Sequence, residues 1–134
     1  MALYLLDTDI SSYLIRKRPV AVLARMDAVP LSQQVISVVT YAEIMFGLHR
    51  NPSVNNERAA ALFFGTVGAV LDWNRAAADA YAVLRSTLES LGRPIGSMDT
   101  LIAAHALSLG AILVTNNVRH FNHVPNLEIE NWAA

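Results

Sequence analysis

Short apolar runs alternate with longer amphipathic stretches along these 134 residues. The runs are apolar at successive positions rather than at every second one, which is typical of strands buried on both faces of a parallel sheet. Buried strands are expected at residues 2–6, 35–39, 70–73 and 111–114, and an edge strand at 127–129. The pattern therefore predicts a mostly parallel central sheet of four to five strands.

The stretches between these runs carry apolar residues at three- and four-residue steps, which indicates amphipathic helices. Helices are expected at residues 9–16, 20–28, 40–50, 54–65, 75–91 and 98–109. Strands that alternate with helices of this length predict an α/β fold with right-handed crossovers. We expect a single domain over residues 1–134, because no linker, repeat or low-complexity run interrupts the pattern.

Composition indicates a folded core and excludes several classes of protein. Hydrophobic residues make up 54% of the chain and charged residues 16%, which is far from the composition of a disordered segment. There is no cysteine, so disulfides and thiolate metal sites are excluded, and we expect a cytoplasmic protein. The longest charge-free stretch, residues 100–118, contains His, Asn and Gly and is not expected to span a membrane.

Net charge does not identify a substrate. The formal net charge of −1 gives no global basic field of the kind that is typical of nucleic-acid binding. Lys17 is the only lysine, and the other cations are arginines, which suit bidentate contacts with phosphate. The cations at Arg16, Lys17 and Arg18 fit the last turn of a helix, and a phosphate-steering patch is the alternative.

Three acidic residues follow apolar strands or begin helices. Asp7 ends the first strand, Glu43 lies shortly after the second, and Asp99 lies in the first turn of a later helix. Residues just past parallel strands meet at one sheet edge, and carboxylates gathered there need a cation or protonation. Mg²⁺ or Mn²⁺ suits such an all-oxygen site and can activate water for phosphodiester cleavage.

Two of the three acids also have a structural alternative. Thr40-x-x-Glu43 reads as a capping box, in which the glutamate would only stabilise the start of a helix. Asp99 shortly after Ser97 is placed where a helix dipole favours an anion. Asp7 is the exception, because the polar residues that follow it are sufficient to begin the helix.

The segment after the fourth strand adds polar groups at the same sheet edge. Asn117 offers an amide oxygen, Thr115 a hydroxyl, His120 an imidazole and Arg119 a guanidinium for phosphate. The alternative is that Asn116 and Asn117 only cap the next short helix. His105 lies on the apolar side of its helix, and we expect it to be packed and hydrogen-bonded rather than a metal ligand.

Four segments in this order resemble PIN-domain ribonucleases, and VapC toxins of bacterial toxin–antitoxin pairs most of all. They are L-L-D-T-D-I, V-T-Y-A-E-I, P-I-G-S-M-D-T-L-I-A-A-H-A-L and I-L-V-T-N-N-V-R-H-F. The resemblance covers essentially the whole chain. It implies a three-layer α/β/α PIN-like (RNase H-like) fold, a metal-dependent endoribonuclease, a homodimer and inhibition by a VapB antitoxin.

The resemblance also implies roles for individual residues. Asp7 and Asp99 would hold Mg²⁺, for which Mn²⁺ could substitute, and Glu43 would complete an acidic triad. Asn117 would join this catalytic set, with four residues in supporting or substrate-binding roles: Thr8, Thr115, Arg119 and His120. Relatives cut transfer RNA, including initiator tRNA in the anticodon loop, and this is the substrate that we expect.

The sequence departs from its relatives at one place. Many of them carry an acid in the turn after the fourth strand or just before the Phe, where this chain has Asn117 and His120. A site with one metal ion at rest is therefore expected. The alternative function is a PIN-like module that binds RNA or antitoxin without catalysis.

A second alternative comes from the segment that begins at Asp7. D-T-D-I-S also resembles the opening of haloacid-dehalogenase phosphatases, whose first Asp is a nucleophile. That mechanism needs a lysine and a downstream acid pair. The only lysine is Lys17, beside the first helix, and no acid pair follows a later apolar strand.

Overall fold

The computed structural model describes residues 2–17 and 19–134, in which helices and strands alternate along most of the chain. The elements in order are β1 (Tyr4–Leu6), α1 (Thr8–Arg16), α2 (Val20–Asp27), a 3₁₀ turn (Leu31–Gln33), β2 (Gln34–Ser37), α3 (Val38–Arg50), α4 (Val54–Thr66), β3 (Ala69–Leu71), α5 (Arg75–Ser90), α6 (Ser97–Leu109), β4 (Ile112–Val114), α7 (Val118–Phe121) and β5 (Ile129–Glu130). Within these residues no helix has both the length and the apolar character needed to cross a bilayer.

The strands form one sheet in the order β3-β2-β1-β4-β5, and every pairing is parallel. β1 lies at the centre, where Leu5 pairs with Val35 on one side and with Leu113 on the other. The carboxyl ends of β1, β2 and β4 therefore lie next to one another at one edge. The predicted α/β fold with a parallel sheet of four to five strands is confirmed.

Hydrophobic cores lie on both faces of the sheet. Leu5 and Leu113 pack on one face with residues of α5 and α6, such as Leu84. The next residue of β1, Leu6, packs on the opposite face with Ile10 of α1 and other residues from α2 and α4. Successive strand residues point to opposite faces, so two buried faces explain the absence of polar alternation in the sequence.

The second strand is shorter than expected. Val38 and Val39 were predicted to continue it, but they form the first turn of α3. The reason is Ser37, whose side-chain oxygen accepts the Val39 backbone N–H at 3.1 Å and so caps the helix. A hydrogen bond at the cap outweighs the modest β propensity of two valines. Bounds elsewhere shift by at most two residues, as at β3 and β5.

Candidate active site

Asp7 lies directly after β1 and is buried, with 5% of its surface exposed. Its backbone N–H donates to the Val114 carbonyl at 2.8 Å, which ties it to the end of β4. Its Oδ1 accepts the Thr8 backbone N–H at 2.8 Å, and Oδ2 accepts the Thr115 hydroxyl at 2.8 Å. Asp7 is therefore the N-cap of α1, and the expectation that it has no capping role is wrong. The carboxylate does this because it stands one residue before the helix.

The surroundings of Asp7 favour its neutral form. Burial raises its pKa to about 7, and the nearby charges of Asp9 and Asp99 act in the same direction. The hydrogen bonds from Thr115 and Thr8 oppose this rise. A divalent cation at the site would reverse the balance, because it would offset the repulsion between these carboxylates.

Glu43 lies one turn inside α3, on the side that faces α1. Its Oε1 accepts the Thr8 hydroxyl at 2.6 Å, and that hydroxyl is also 3.3 Å from Oγ1 of Thr40. The predicted capping box is wrong, because α3 begins at Val38 and Ser37 is its cap. Glu43 is therefore placed against the start of α1. It contacts Thr8, the residue that directly follows Asp7.

Asp99 lies in the first turn of α6, as expected, and is half-buried. Its Oδ2 is 3.0 Å from Nδ1 of His120, the third residue of α7. The Asn117 side-chain nitrogen is 3.0 Å from the same Nδ1. This nitrogen can donate to Asp99 or accept from Asn117 but not both. Asn117 therefore contacts His120, and His120 contacts Asp99.

The turn from β4 to α7 is held in place by Thr115, which is fully buried. Its hydroxyl donates to Asp7 and accepts the Asn117 backbone N–H at 3.0 Å. Asn117 is the N-cap residue of α7, but its side chain makes no capping hydrogen bond. Arg119 is exposed and takes part in no ion pair in the described part of the chain. Its role at phosphate stays a prediction.

Sequence reasoning missed Asp9, to which it assigned only the start of a helix. The Asp9 Oδ2 accepts the Asn116 backbone N–H at 3.0 Å and lies 3.5 Å from Oγ1 of Thr115. Its Oδ1 accepts the Ile10 backbone N–H at 2.6 Å. Burial raises the pKa of Asp9 as well. The only sequence signal for a role of Asp9 at the site was its position two residues after Asp7, with Thr8 between them.

His105 is buried in α6, away from these acids. Its Nδ1 lies 2.8 Å from the Ser37 hydroxyl, and burial lowers the pKa of the imidazole. The prediction of a packed, hydrogen-bonded histidine is confirmed. The contact connects α6 to the cap of α3, so His105 holds together the two helices that carry Asp99 and Glu43.

An open groove of about 360 Å³ adjoins Glu43 and Thr8 and extends between α1, α3 and α4. Arg16 lines it, and the Arg16 guanidinium carbon lies 5.5 Å from the centre of the Tyr13 ring. Arg16 is the last residue of α1, as the helix-end interpretation expects. Arg18, the third cation of that run, lies outside the described residues.

The donors at this edge fit Mg²⁺ in their chemistry. Within residues 2–17 and 19–134, no group of three or more His, Asp or Glu side chains is arranged to hold an ion together. Mg²⁺ commonly binds through one or two carboxylates and keeps several waters, so it does not require such a group. Asp7 and Asp99 influence one another electrostatically, and both present oxygen. The metal site stays a prediction.

Comparison with known proteins agrees with this architecture. The family model of the PIN domain matches residues 4–127. The tRNA(fMet)-specific endonuclease VapC of Shigella flexneri is 38% identical, over 99% of this chain and all of that protein. Ribonuclease VapC1 of Haemophilus influenzae strain R2866 is 37% identical, over 98% of each chain.

Solved structures show the same fold. The crystal structure of VapBC2 from Rickettsia felis, bound to a DNA fragment from its promoter, is similar with a TM-score of 0.88 and 33% identity. The match covers 97% of this chain and 98% of that one. Taken together, these similarities and the parallel sheet with Asp7 at the end of its central strand show that the chain belongs to the PIN-domain family and, within it, to the VapC ribonucleases.

Proposed function

We propose that this protein is a toxin endoribonuclease that hydrolyses RNA phosphodiester bonds with Mg²⁺ held by Asp7 and Asp99. The observation that carries the proposal is the buried Asp7 at the end of β1, whose pKa is raised to about 7 by burial and by neighbouring acids. A cluster of buried and half-buried carboxylates at the carboxyl edge of a parallel sheet is a place where a divalent cation is stabilising. The names of the relatives support ribonuclease activity.

When bound, Mg²⁺ would polarise the phosphate and lower the pKa of an attacking water. Thr115 and the Thr8 backbone N–H fix the orientation of the Asp7 carboxylate through hydrogen bonds at both of its oxygens. The Thr8 hydroxyl fixes Oε1 of Glu43, and we assign Oε2 of Glu43 to accept the proton of the water. Asn117, Arg119 and His120 are assigned to the phosphate side of the site.

Transfer RNA, and initiator tRNA in particular, is the substrate that we propose. Support comes from the Shigella flexneri relative, which is named as a tRNA(fMet)-specific endonuclease. We propose a VapB-type antitoxin as the partner, because the similar structures from Rickettsia felis and Salmonella typhimurium are VapBC assemblies. A homodimer completes the proposal.

The test is cleavage of purified tRNA with Mg²⁺ or Mn²⁺, with and without chelator. We expect metal-dependent cutting by the wild type and none by Asp7→Asn, since the amide keeps the shape and removes the charge. Asp72→Asn, the same change at an exposed acid, is the matched control and should cut normally. Mapping of RNA 5′ ends in cells after brief induction would identify the target. Equal cutting by wild type and Asp7→Asn would refute the metal role of Asp7.

One observation favours a second candidate, a module that binds RNA or antitoxin without cutting. His120 Nδ1 lies 3.0 Å from Oδ2 of Asp99, one of the two proposed metal ligands. If that contact persists with Mg²⁺ present, Asp99 is less available to the ion. The two candidates differ in one measurement, because the module would bind tRNA and leave it intact at every metal concentration.

A further inference from the structure

Two exposed basic side chains contact each other near the acidic edge. Arg93 Nη1 lies 3.1 Å from Nδ1 of His123. In the ranges that the structure describes, the ion pairs involve Arg25, Arg85 and His120, and Arg93 has no carboxylate partner. A guanidinium that rests against an imidazole leaves its positive charge uncompensated at the surface.

The backbone of Arg93 is fixed by the end of α5. Gly92 has φ of +64°, a left-handed conformation that glycine adopts without strain. The Arg93 N–H donates to the Leu88 carbonyl at 2.9 Å, and the Gly92 N–H donates to the Glu89 carbonyl at 3.1 Å. These bonds form a Schellman motif, so the guanidinium projects from a rigid helix end rather than a loose loop.

The backbone around His123 is also fixed. It lies between Phe121 and Val124, which are both buried, and the Val124 N–H donates to the Phe121 carbonyl at 3.0 Å. Because Nδ1 faces an obligatory donor, it acts as the acceptor and Nε2 carries the proton. His123 therefore orients one N–H of Arg93 and leaves the rest of the guanidinium free for a ligand.

Arg93 and His123 lie close in the chain to residues at the Asp99 end of the site. Arg93 is only three positions before Gly96, the N-cap of the helix that carries Asp99, and such a segment spans at most about 10 Å. His120, which contacts Asp99, is one turn before His123 in sequence. Contacts thus run from Asp99 to His120 and from His123 to Arg93.

We infer that Arg93, oriented by His123, binds a backbone phosphate of the RNA strand next to the scissile bond. This inference rests on the proposed ribonuclease function. An arginine that keeps free N–H donors in a planar fork matches two phosphate oxygens, and its contact is independent of base sequence. It would also reduce the repulsion between the phosphates and the acidic edge.

The test is the salt dependence of binding to a labelled single-stranded RNA, measured in chelator so that no cleavage occurs. Neutralising one phosphate contact lowers the slope of log K against log salt by about 0.7 for a single strand. We expect Arg93→Gln to lose about that much slope and to bind about fivefold more weakly at low salt. Arg85→Gln is the matched control, because Arg85 lies on α5, the helix that precedes Arg93, and already pairs with Glu89.

His123 variants test the orienting role. His123→Asn keeps an acceptor the same number of bonds from the backbone as Nδ1 and should bind like the wild type, whereas His123→Ala should bind more weakly. If the wild type cuts RNA and Arg93→Gln keeps the wild-type salt slope and RNA affinity, the phosphate contact of Arg93 is refuted and the ribonuclease proposal stands. A wild type that binds RNA with the expected Arg93 dependence but never cuts it would overturn only the ribonuclease proposal. A wild type that neither binds nor cuts RNA would overturn both.

Discussion

His120 Nδ1 lies 3.0 Å from Oδ2 of Asp99, so an imidazole occupies the side of the carboxylate that turns toward α7. The histidine is 45% exposed and the aspartate 28%, which makes the contact accessible to solvent. An exposed pair of this kind contributes little to stability, roughly 0.2–1 kcal/mol. Its consequence is local, because the imidazole lies against one of the two carboxylate oxygens that Asp99 could offer to an ion.

The first prediction is that His120→Ala tightens Mg²⁺ binding. Without the imidazole, an ion can reach Asp99 without displacing a partner, and the weakness of the contact limits the gain to about threefold. Titration calorimetry on the RNA-free protein measures the change. His49→Ala, at an exposed histidine of α3, is the control and should leave the affinity unchanged. Weaker binding in His120→Ala would instead make the imidazole part of the ion's surroundings.

The position of the acids was predictable from sequence because it follows from topology. Asp7 ends an apolar run, and parallel strands bring their carboxyl ends to one edge. What sequence could not give is the pairing of side chains across distant segments. The His120 contact with Asp99 depends on how α7 packs beside α6, and no local pattern encodes that packing.

The second prediction concerns the pH dependence of stability without metal. The pKa of Asp7 is near 7 in the folded chain, above its ordinary value of 3.8. Between these values the folded state keeps a proton that the unfolded chain has released, so raising the pH favours unfolding. We expect the wild type in chelator to lose stability from about pH 4 to pH 7 and to level off above.

Asp7→Asn should lack this loss, because it cannot ionise. It should therefore be the more stable protein at pH 8, by about 4 kcal/mol (about 1.4 kcal/mol for each of the roughly three pH units between the two pKa values), and the advantage should disappear near pH 4. Urea unfolding across the pH range measures the difference, with Asp72→Asn as the exposed control. Asp9 contributes in the same direction but is present in both proteins. If the stability of the wild type instead rose relative to that of Asp7→Asn with rising pH, the folded state would favour the ionised carboxylate.

The third prediction is that Glu43→Gln keeps the fold and loses activity. An amide oxygen can still accept the Thr8 hydroxyl that now contacts Oε1 at 2.6 Å, so thermal stability should change little. Cleavage should fall by about 10²-fold or more, because the amide cannot take a proton from water. Glu57→Gln, in the first turn of α4, is the matched control. Full activity in Glu43→Gln would confine Glu43 to a structural role.

The start of α3 shows how local patterns compete. Two neighbouring candidates, Ser37 and Thr40, could each begin the helix, and sequence reasoning chose the one with a glutamate three residues later. The structure uses Ser37, since its hydroxyl also contacts the buried imidazole of His105. Thr40 becomes a buried neighbour of Thr8 instead. That choice is made by a contact from a residue 68 positions away.

The last prediction is that Asn117→Asp strengthens metal binding. The Asn117 side chain reaches Nδ1 of His120, which in turn contacts Asp99, so a carboxylate at position 117 would add negative charge beside the proposed ligands. Carboxylates close together repel one another, and a bound cation offsets this repulsion. A third carboxylate therefore makes the binding of Mg²⁺ electrostatically more favourable. We expect Mg²⁺ affinity to rise about tenfold in calorimetry, a change of about 1.4 kcal/mol. Asn122→Asp, an exposed change just after α7, is the control for added charge alone. If both variants bind Mg²⁺ as the wild type does, the side chain at 117 lies outside the ion's reach and its catalytic assignment is wrong.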